Sequence, residues 1–366
     1  MANKDNKLQD EVMNYLNGKL SIKDSSFTDL SYDNWVSKDS NLQKLCTAFE
    51  VSKKEANLTE EENKNNKDLF YQKILNLHDH TCELQLIKWI TDDEEHRNRL
   101  YKFPNTTKVK HHSDDLPYEY NVVRVNSNDN KTTQAINASY ICGPSFEKGN
   151  HLFIAAQAPK DEEKFTFWKM VLQQDIDIII ILSSPEESNS FAKYSKEKIV
   201  DIIKDPNTGE EIKIMVKDSL EFIKNSFMKV ETIINNNKPI TQIHVMQWPS
   251  HSVPDIRMSS EIISFIFEEI ETCRKTHQDK ENHILIVSPS SFGRIGTLIA
   301  IYNILKCESN LMRIKNEQKR DVVPMLNVFN VVRKLREQRY SMITEEEQYT
   351  FIYQFCLNWI KKNFFK

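Results

Sequence analysis

From Asp68 onward the chain alternates between two textures, apolar residues at three-to-four spacing and short β-branched or aromatic runs. FYQKILNLHDHTCELQLIKWI at 70–90 has the three-to-four spacing of a packed helix. HLFIAAQ (151–157), IDIIIIL (176–182), IKIMVKD (212–218), SFMKVETIIN (226–235), TQIHVMQW (241–248) and HILIVS (283–288) read as strands. The unbroken run from Ile178 to Leu182 has no polar face, which predicts a strand buried on both sides. Helices are expected near 161–174, 258–276, 294–308, 323–337 and 345–363. The sum is an α/β domain over 67–366, a twisted mixed sheet flanked by helices. Residues 1–66 are polar and end in KKEANLTEEENKNNKD, without apolar periodicity; VMNYL and LQKLCTAF are short amphipathic patches. This extension reads as partly helical or disordered.

Charge narrows the partners. Lys and Arg number 49 against 53 Asp and Glu, a net charge of -4, so no global field argues for nucleic acid or an anionic membrane. No apolar run approaches a membrane span, the N-terminus lacks a signal-peptide core, and Ala2 is not the glycine that myristoylation needs. The six cysteines are scattered without CxxC spacing, which fits reduced thiols rather than a disulfide frame or a zinc site. The expectation is a cytoplasmic protein with no metal or cofactor, in which any anion site is local.

One segment offers such a site. The chain has six glycines, and two of them, Gly293 and Gly296, follow an apolar strand and open a helix in HILIVSPSSFGRIGTLIAIYNIL. Helix N–H groups and the helix dipole point at the small-residue loop Ser288 to Gly293, and Arg294 adds a planar fork suited to phosphate oxygens. The same segment also reads as an ordinary strand-to-helix turn.

VSPSSFGRIG at 287–296 resembles the signature of the tyrosine-specific protein phosphatases, His-Cys-(five residues)-Arg-Ser/Thr-Gly between a strand and a helix. In that register Arg294 falls on the phosphate-binding arginine, and Gly293 and Gly296 on signature glycines. Further blocks follow in family order. INASYICG at 136–143 is similar to YINASY, FIAAQAP at 153–159 to FIATQGP, and FWKMVLQQDIDIIIIL at 167–182 to the FW-M-V helix and the strand after it. QIHVMQWPSHSVPD at 242–255 resembles the strand and mobile WPD acid loop, and VRKLREQRYSMITEEEQYTFIY at 332–353 the late glutamine-bearing loop. The resemblance covers about residues 67–366 and implies that family's fold.

It also implies a thiolate nucleophile and a carboxylic acid, and here this chain departs. Ser288 stands at the nucleophile position behind Val287 in place of histidine, and a hydroxyl is too weak an acid to ionise without a base. Ser250 stands at the general-acid position, a loss that typically costs ~10²–10⁴ in rate. Asp255 is an alternative acid, or a helix N-cap or turn residue. Ile295 and Thr344 occupy second-step positions, Gln348 is retained, and Ser190 and Phe191 replace a Lys-Cys pair ahead of Tyr194. Phosphate would rest on Arg294, Ser288, Ser290, Ser291, Phe292 and Gly293, with Trp248 and Gln348 lining the pocket. Pro289 removes one N–H donor from the loop, and Ser291 replaces a family glycine. The aromatic wall falls on Leu100 in direct register, or on Tyr101 with a one-residue shift.

The implied function is a catalytically inactive phosphatase-like protein, a pseudophosphatase that binds tyrosine-phosphorylated proteins and modulates signalling. Two alternatives are a phosphorylation-independent scaffold and a residually active phosphatase. The Asn- and Lys-rich, Gly-poor style resembles the expanded phosphatase families of polydnaviruses (bracoviruses), which implies action on host immune signalling in the host cytoplasm.

Overall fold

The computed structural model describes residues 80–92, 94–103, 116–127, 132–144, 151–183, 187, 200–205, 208–222, 227–235, 239–276, 284–289, 292–318 and 328–364. The apolar runs become a sheet of nine strands: β1 (Val122–Asn126), β2 (Thr133–Cys142), β3 (His151–Gln157), β4 (Ile178–Leu182), β5 (Val200–Lys204), β6 (Glu211–Phe222), β7 (Phe227–Ile234), β8 (Pro239–Val245) and β9 (Ile284–Ser288). Their spatial order is β1-β2-β3-β9-β4-β8-β7-β6-β5. The four central strands β3, β9, β4 and β8 are parallel neighbours, and the outer pairs are antiparallel. Helices α1 (His80–Thr91) and α2 (Glu94–Asn98) precede the sheet. The others are α3 (Lys164–Gln173), α4 (Ile256–Thr276), α5 (Phe292–Gln318), α6 (Val328–Gln338) and α7 (Glu346–Phe364).

Period-two alternation explains the two layers. Ile178, Ile180, Leu182, Ile284 and Ile286 pack with Ile263 and Ile266 of α4, Leu298 and Ile299 of α5, and Ile352 of α7. Ile179, Ile181, Leu285 and Val287 turn the other way, onto Phe167, Met170 and Val171 of α3. All five residues of β4 are buried, as the unbroken apolar run predicted. Burying each such side chain is worth about 1.5–3 kcal/mol, so this double-sided centre is a large source of stability in the fold.

Some elements differ from the sequence reading. β1, β2 and β5 were not expected as strands, and α5 begins at Phe292 and continues to Gln318. The first three residues of the expected 161–174 helix form a 3₁₀ turn. Residues 1–66, the start of the 70–90 helix, and 323–327 lie outside the described residues. Among the described residues no helix is long and apolar enough to cross a membrane. In the same set no His, Cys, Asp and Glu group is placed to hold a metal ion, and no disulfide joins Cys142, Cys273, Cys307 and Cys356 to one another.

Candidate functional site

The carboxyl ends of adjacent parallel strands form the natural binding edge of an open α/β sheet. Here β9 ends at Ser288, β4 leads to Ser183 and Glu187, and β8 leads to Trp248. Alternation along β9 puts Ser288 on the same face as Ile284 and Ile286, toward α5. Its carbonyl accepts the Ala158 N–H at 3.0 Å, and its buried hydroxyl finds no hydrogen-bond partner among the described residues. After Pro289 the chain enters α5, whose third residue is Arg294.

Arg294 is fully buried. Its guanidinium makes a two-armed pair with Glu187, Nη1 to Oε2 at 2.6 Å and Nη2 to Oε1 at 3.1 Å, and Nη1 also donates to the Trp248 carbonyl at 3.0 Å. A buried cation is tolerated only with such compensation. The three strand ends are thus joined through one guanidinium.

A second layer holds this turn in shape. A Cβ on Gly293 would lie 2.5 Å from Gln348 Oε1, so any larger residue there would push the buried Gln348 amide aside. The buried Phe292 ring lies under the Arg339 guanidinium, 3.7 Å from its centroid. Arg339 in turn donates to Ser139 Oγ at 3.0 Å and to Asn137 Oδ1, while Asn137 Nδ2 donates to Gln157 Oε1 at 2.8 Å. The polar residues of INASY therefore grip the arginine that steadies the helix start. Buried Arg336 does the same for the late loop, donating to the Met342 and Ile343 carbonyls at 2.9 and 3.3 Å. It is anchored on Thr91 at 2.8 Å and Asp92 at 2.5 Å. That loop needs the support, because Ser341 (φ 63) and Ile343 (φ 58) are both left-handed, an uncommon state for residues with a Cβ and an outlier for a β-branched one.

The segment after β8 closes over the same region. Trp248 is fully buried, and its indole N–H donates to the Ser252 carbonyl at 3.1 Å. Ser250 lies half-buried in the turn between Pro249 and His251. Asp255 is exposed just before α4, and its carbonyl accepts the Ser259 N–H at 2.8 Å, so it starts a helix as its N-cap reading predicted.

The structure thus brings together Ser288, Phe292, Gly293, Arg294, Trp248 and Gln348. Ile295 is fully buried in the apolar core, and its side chain offers no donor. Thr344 Oγ1 donates to Glu345 Oε1 at 3.2 Å, and its carbonyl accepts Lys88 Nζ at 2.5 Å. Leu100 bridges to Tyr118 in an isolated backbone pair. The Tyr101 ring meets Phe103 edge-on at 4.7 Å and carries Arg124 over its face at 5.2 Å. No hydrogen bond or ring contact found among the described residues joins Leu100 or Tyr101 to Arg294. Ser290, Ser291, Ser190, Phe191 and Tyr194 lie outside the described residues. Glu187, Arg339, Asn137 and Ser139 were missed by the sequence reading. For Glu187 a signal existed: a buried arginine at a strand-end site demands a carboxylate, and PEES follows the most apolar strand.

Electrostatics restrict the nucleophiles. Burial pushes the Cys142 thiol up to about 11, partly countered by Lys334, so it stays protonated near neutrality. Burial pushes the His244 imidazole down to about 3, which keeps it uncharged inside β8.

Comparison with known proteins agrees with this geometry. Tyrosine-protein phosphatase 69D of Drosophila melanogaster is 28% identical over 240 residues, covering 62% of this chain and 15% of that protein. Receptor-type tyrosine-protein phosphatase epsilon of Rattus norvegicus is 30% identical over 234 residues, covering 61% of this chain and 29% of that protein. The chain therefore spans well under two thirds of the length of these curated relatives. Among solved structures, the catalytic domain of human protein tyrosine phosphatase non-receptor type 18 superposes with a TM-score of 0.58 at 19% identity, covering 76% of this chain and 95% of that one. A complex of the same phosphatase with HER2 phosphopeptides gives 0.59 at 20% identity, covering 76% and 98%. At that identity the likeness speaks for the fold. A sequence profile described as protein-tyrosine phosphatase matches residues 106–358, well over half of the sequence, so the chain belongs to the protein-tyrosine phosphatase family.

Proposed function

We propose that this chain is a catalytically inactive member of its family that binds tyrosine-phosphorylated proteins. The observation that carries the reading is the pairing of a strand-end hydroxyl, Ser288, with the helix-borne Arg294 across one turn. The Ser288 hydroxyl is buried, and no base among the described residues accepts its proton. A serine becomes a nucleophile only with such a base, so the turn retains an anion-binding arginine without an activated attacking group. Ser250 cannot supply a proton to a leaving phenol near neutral pH, and Asp255, the alternative acid, heads α4. Ile295 and Thr344 complete the loss at the second step.

Binding is separable from turnover, because affinity for a phosphate comes from the arginine and loop N–H groups. The relatives are named as tyrosine phosphatases, and one solved neighbour holds phosphopeptides, which makes phosphotyrosine the natural ligand class. In the polydnavirus setting that the sequence style resembles, the ligands are host signalling proteins in the host cytoplasm. Isothermal titration with a phosphotyrosine peptide tests the reading: binding that Arg294→Ala abolishes is expected. Absence of binding by the wild type, or equal binding by the variant, counts against it.

A second reading has its own support. Arg294 is already engaged by Glu187 and Trp248, and Pro289 offers no N–H, both of which favour a scaffold whose partners bind regardless of phosphorylation. Pull-downs before and after phosphatase treatment separate the two readings.

A further inference from the structure

A helix leaves its last four carbonyls without intrahelical donors, so each needs a partner from elsewhere. At the end of α6 the Leu335 carbonyl accepts the Arg339 N–H at 2.9 Å. The next three are capped by the turn that precedes β1. The Tyr118 hydroxyl donates to the Arg336 carbonyl at 3.2 Å, the Tyr120 hydroxyl to that of Glu337 at 2.6 Å, and Asn121 Nδ2 to that of Gln338 at 2.6 Å. From this cap the chain runs directly into Arg339, which covers Phe292, and into the 342–343 carbonyls that Arg336 holds. The cap therefore adjoins the supports of the Arg294 turn.

Its two tyrosines stack with ring centroids 5.8 Å apart, yet they differ in access: Tyr118 is 1% exposed and Tyr120 is 56% exposed. Tyr120 stands in a turn directly after Glu119, at the end of the acidic sequence SDDLPYEY. An exposed turn tyrosine behind carboxylates is the kind of acceptor that protein tyrosine kinases take. Its one hydrogen bond, to the Glu337 carbonyl, is a small obstacle to release.

We propose that Tyr120 is a phosphorylation site for a tyrosine kinase, and that the modification uncaps the end of α6. In the transfer the Tyr120 oxygen attacks the γ-phosphorus of ATP, the bond to the β-phosphate oxygen breaks, ADP leaves, and the phenolic proton passes to the kinase. The phosphate removes the donor to Glu337 and adds a charge of about -1.5 to -2. That charge meets the negative end of the helix dipole and the Glu337 carboxylate, while Arg99 draws it the other way. The inference does not depend on what Arg294 binds.

The test incubates the full chain with ATP, magnesium and a recombinant tyrosine kinase that prefers acidic sequences, and maps phosphate by mass spectrometry. Tyr120 should be modified roughly tenfold faster than buried Tyr118, and Tyr120→Phe should lose that rapid modification. No phosphate on Tyr120, or equal modification of Tyr118, overturns the site. Hydrogen exchange then compares the phosphorylated and unmodified chains. Exchange at residues 335–343 should rise roughly three- to tenfold, with β4 and β9 unchanged. Tyr120→Phe, which loses the donor without gaining charge, should show a smaller rise. Unchanged exchange at 335–343 after phosphorylation, or an equal rise in β4 and β9, overturns the uncapping.

Discussion

At the scale of single residues, the account turns on Arg294 and the company it keeps. Its guanidinium is fully buried, and the Glu187 carboxylate is its ionic partner at 2.6 and 3.1 Å. Glu187→Ala takes a two-armed carboxylate away from a buried cation, so the variant should lose about 3 kcal/mol in denaturant unfolding. A loss below about 1 kcal/mol would mean that solvent or another carboxylate takes over. A glycine-poor chain makes the paired-glycine turn around Gly293, Arg294 and Gly296 conspicuous, whereas Ser288 and Gln348 were singled out by the family resemblance. PEES after β4 offered carboxylates, but choosing Glu187 as the partner requires knowing which strand ends are neighbours. The aromatic wall was equally beyond the reach of sequence alone. The choice between Leu100 and Tyr101 depends on backbone pairing with Tyr118 and Pro117, which no local pattern encodes.

At the scale of elements, helices and six of the nine strands were legible, whereas β1, β2 and β5 were not. β4 and β9 announce themselves as unbroken apolar runs because both faces are buried. β2 hides its alternation: Asn137 and Ser139 are buried polar residues, placed there to hold Arg339. α1 and α7 are joined by a device that the pattern could not reveal. Glu83 is fully buried on α1, and the Tyr349 and Tyr353 hydroxyls of α7 both donate to its Oε2 at 2.6 Å. Removing it in Glu83→Ala takes a charged acceptor away from two buried phenols, at about 1–3 kcal/mol each. The variant should therefore unfold several degrees lower in a thermal melt, with Tyr353→Phe costing less. Equal melting of wild type and Glu83→Ala would show that the clamp carries no stability.

At the scale of the whole molecule, stability should depend on pH through a buried group of β8. Burial holds the His244 imidazole down at about 3, against 6.5 for an unperturbed histidine. Between those values the native state keeps it neutral while the unfolded chain takes up a proton, so acid favours unfolding. This one group should remove about 1.4 kcal/mol per pH unit as pH falls below 6.5. Denaturant unfolding at pH 7 and pH 5.5 should show that slope in the wild type and a smaller one in His244→Gln; equal slopes would place the pH dependence elsewhere. The global fold was readable because its signals are repeated across many residues, whereas the proposed loss of turnover rests on single residues in three separate segments, Ser288 and Ile295, Ser250, and Thr344. Phosphate release from a phosphotyrosine peptide tests that contrast most directly, with wild type and Arg294→Ala measured side by side. The account predicts release by the wild type no faster than by Arg294→Ala or by buffer alone, and turnover by the wild type that Arg294→Ala abolishes would contradict it.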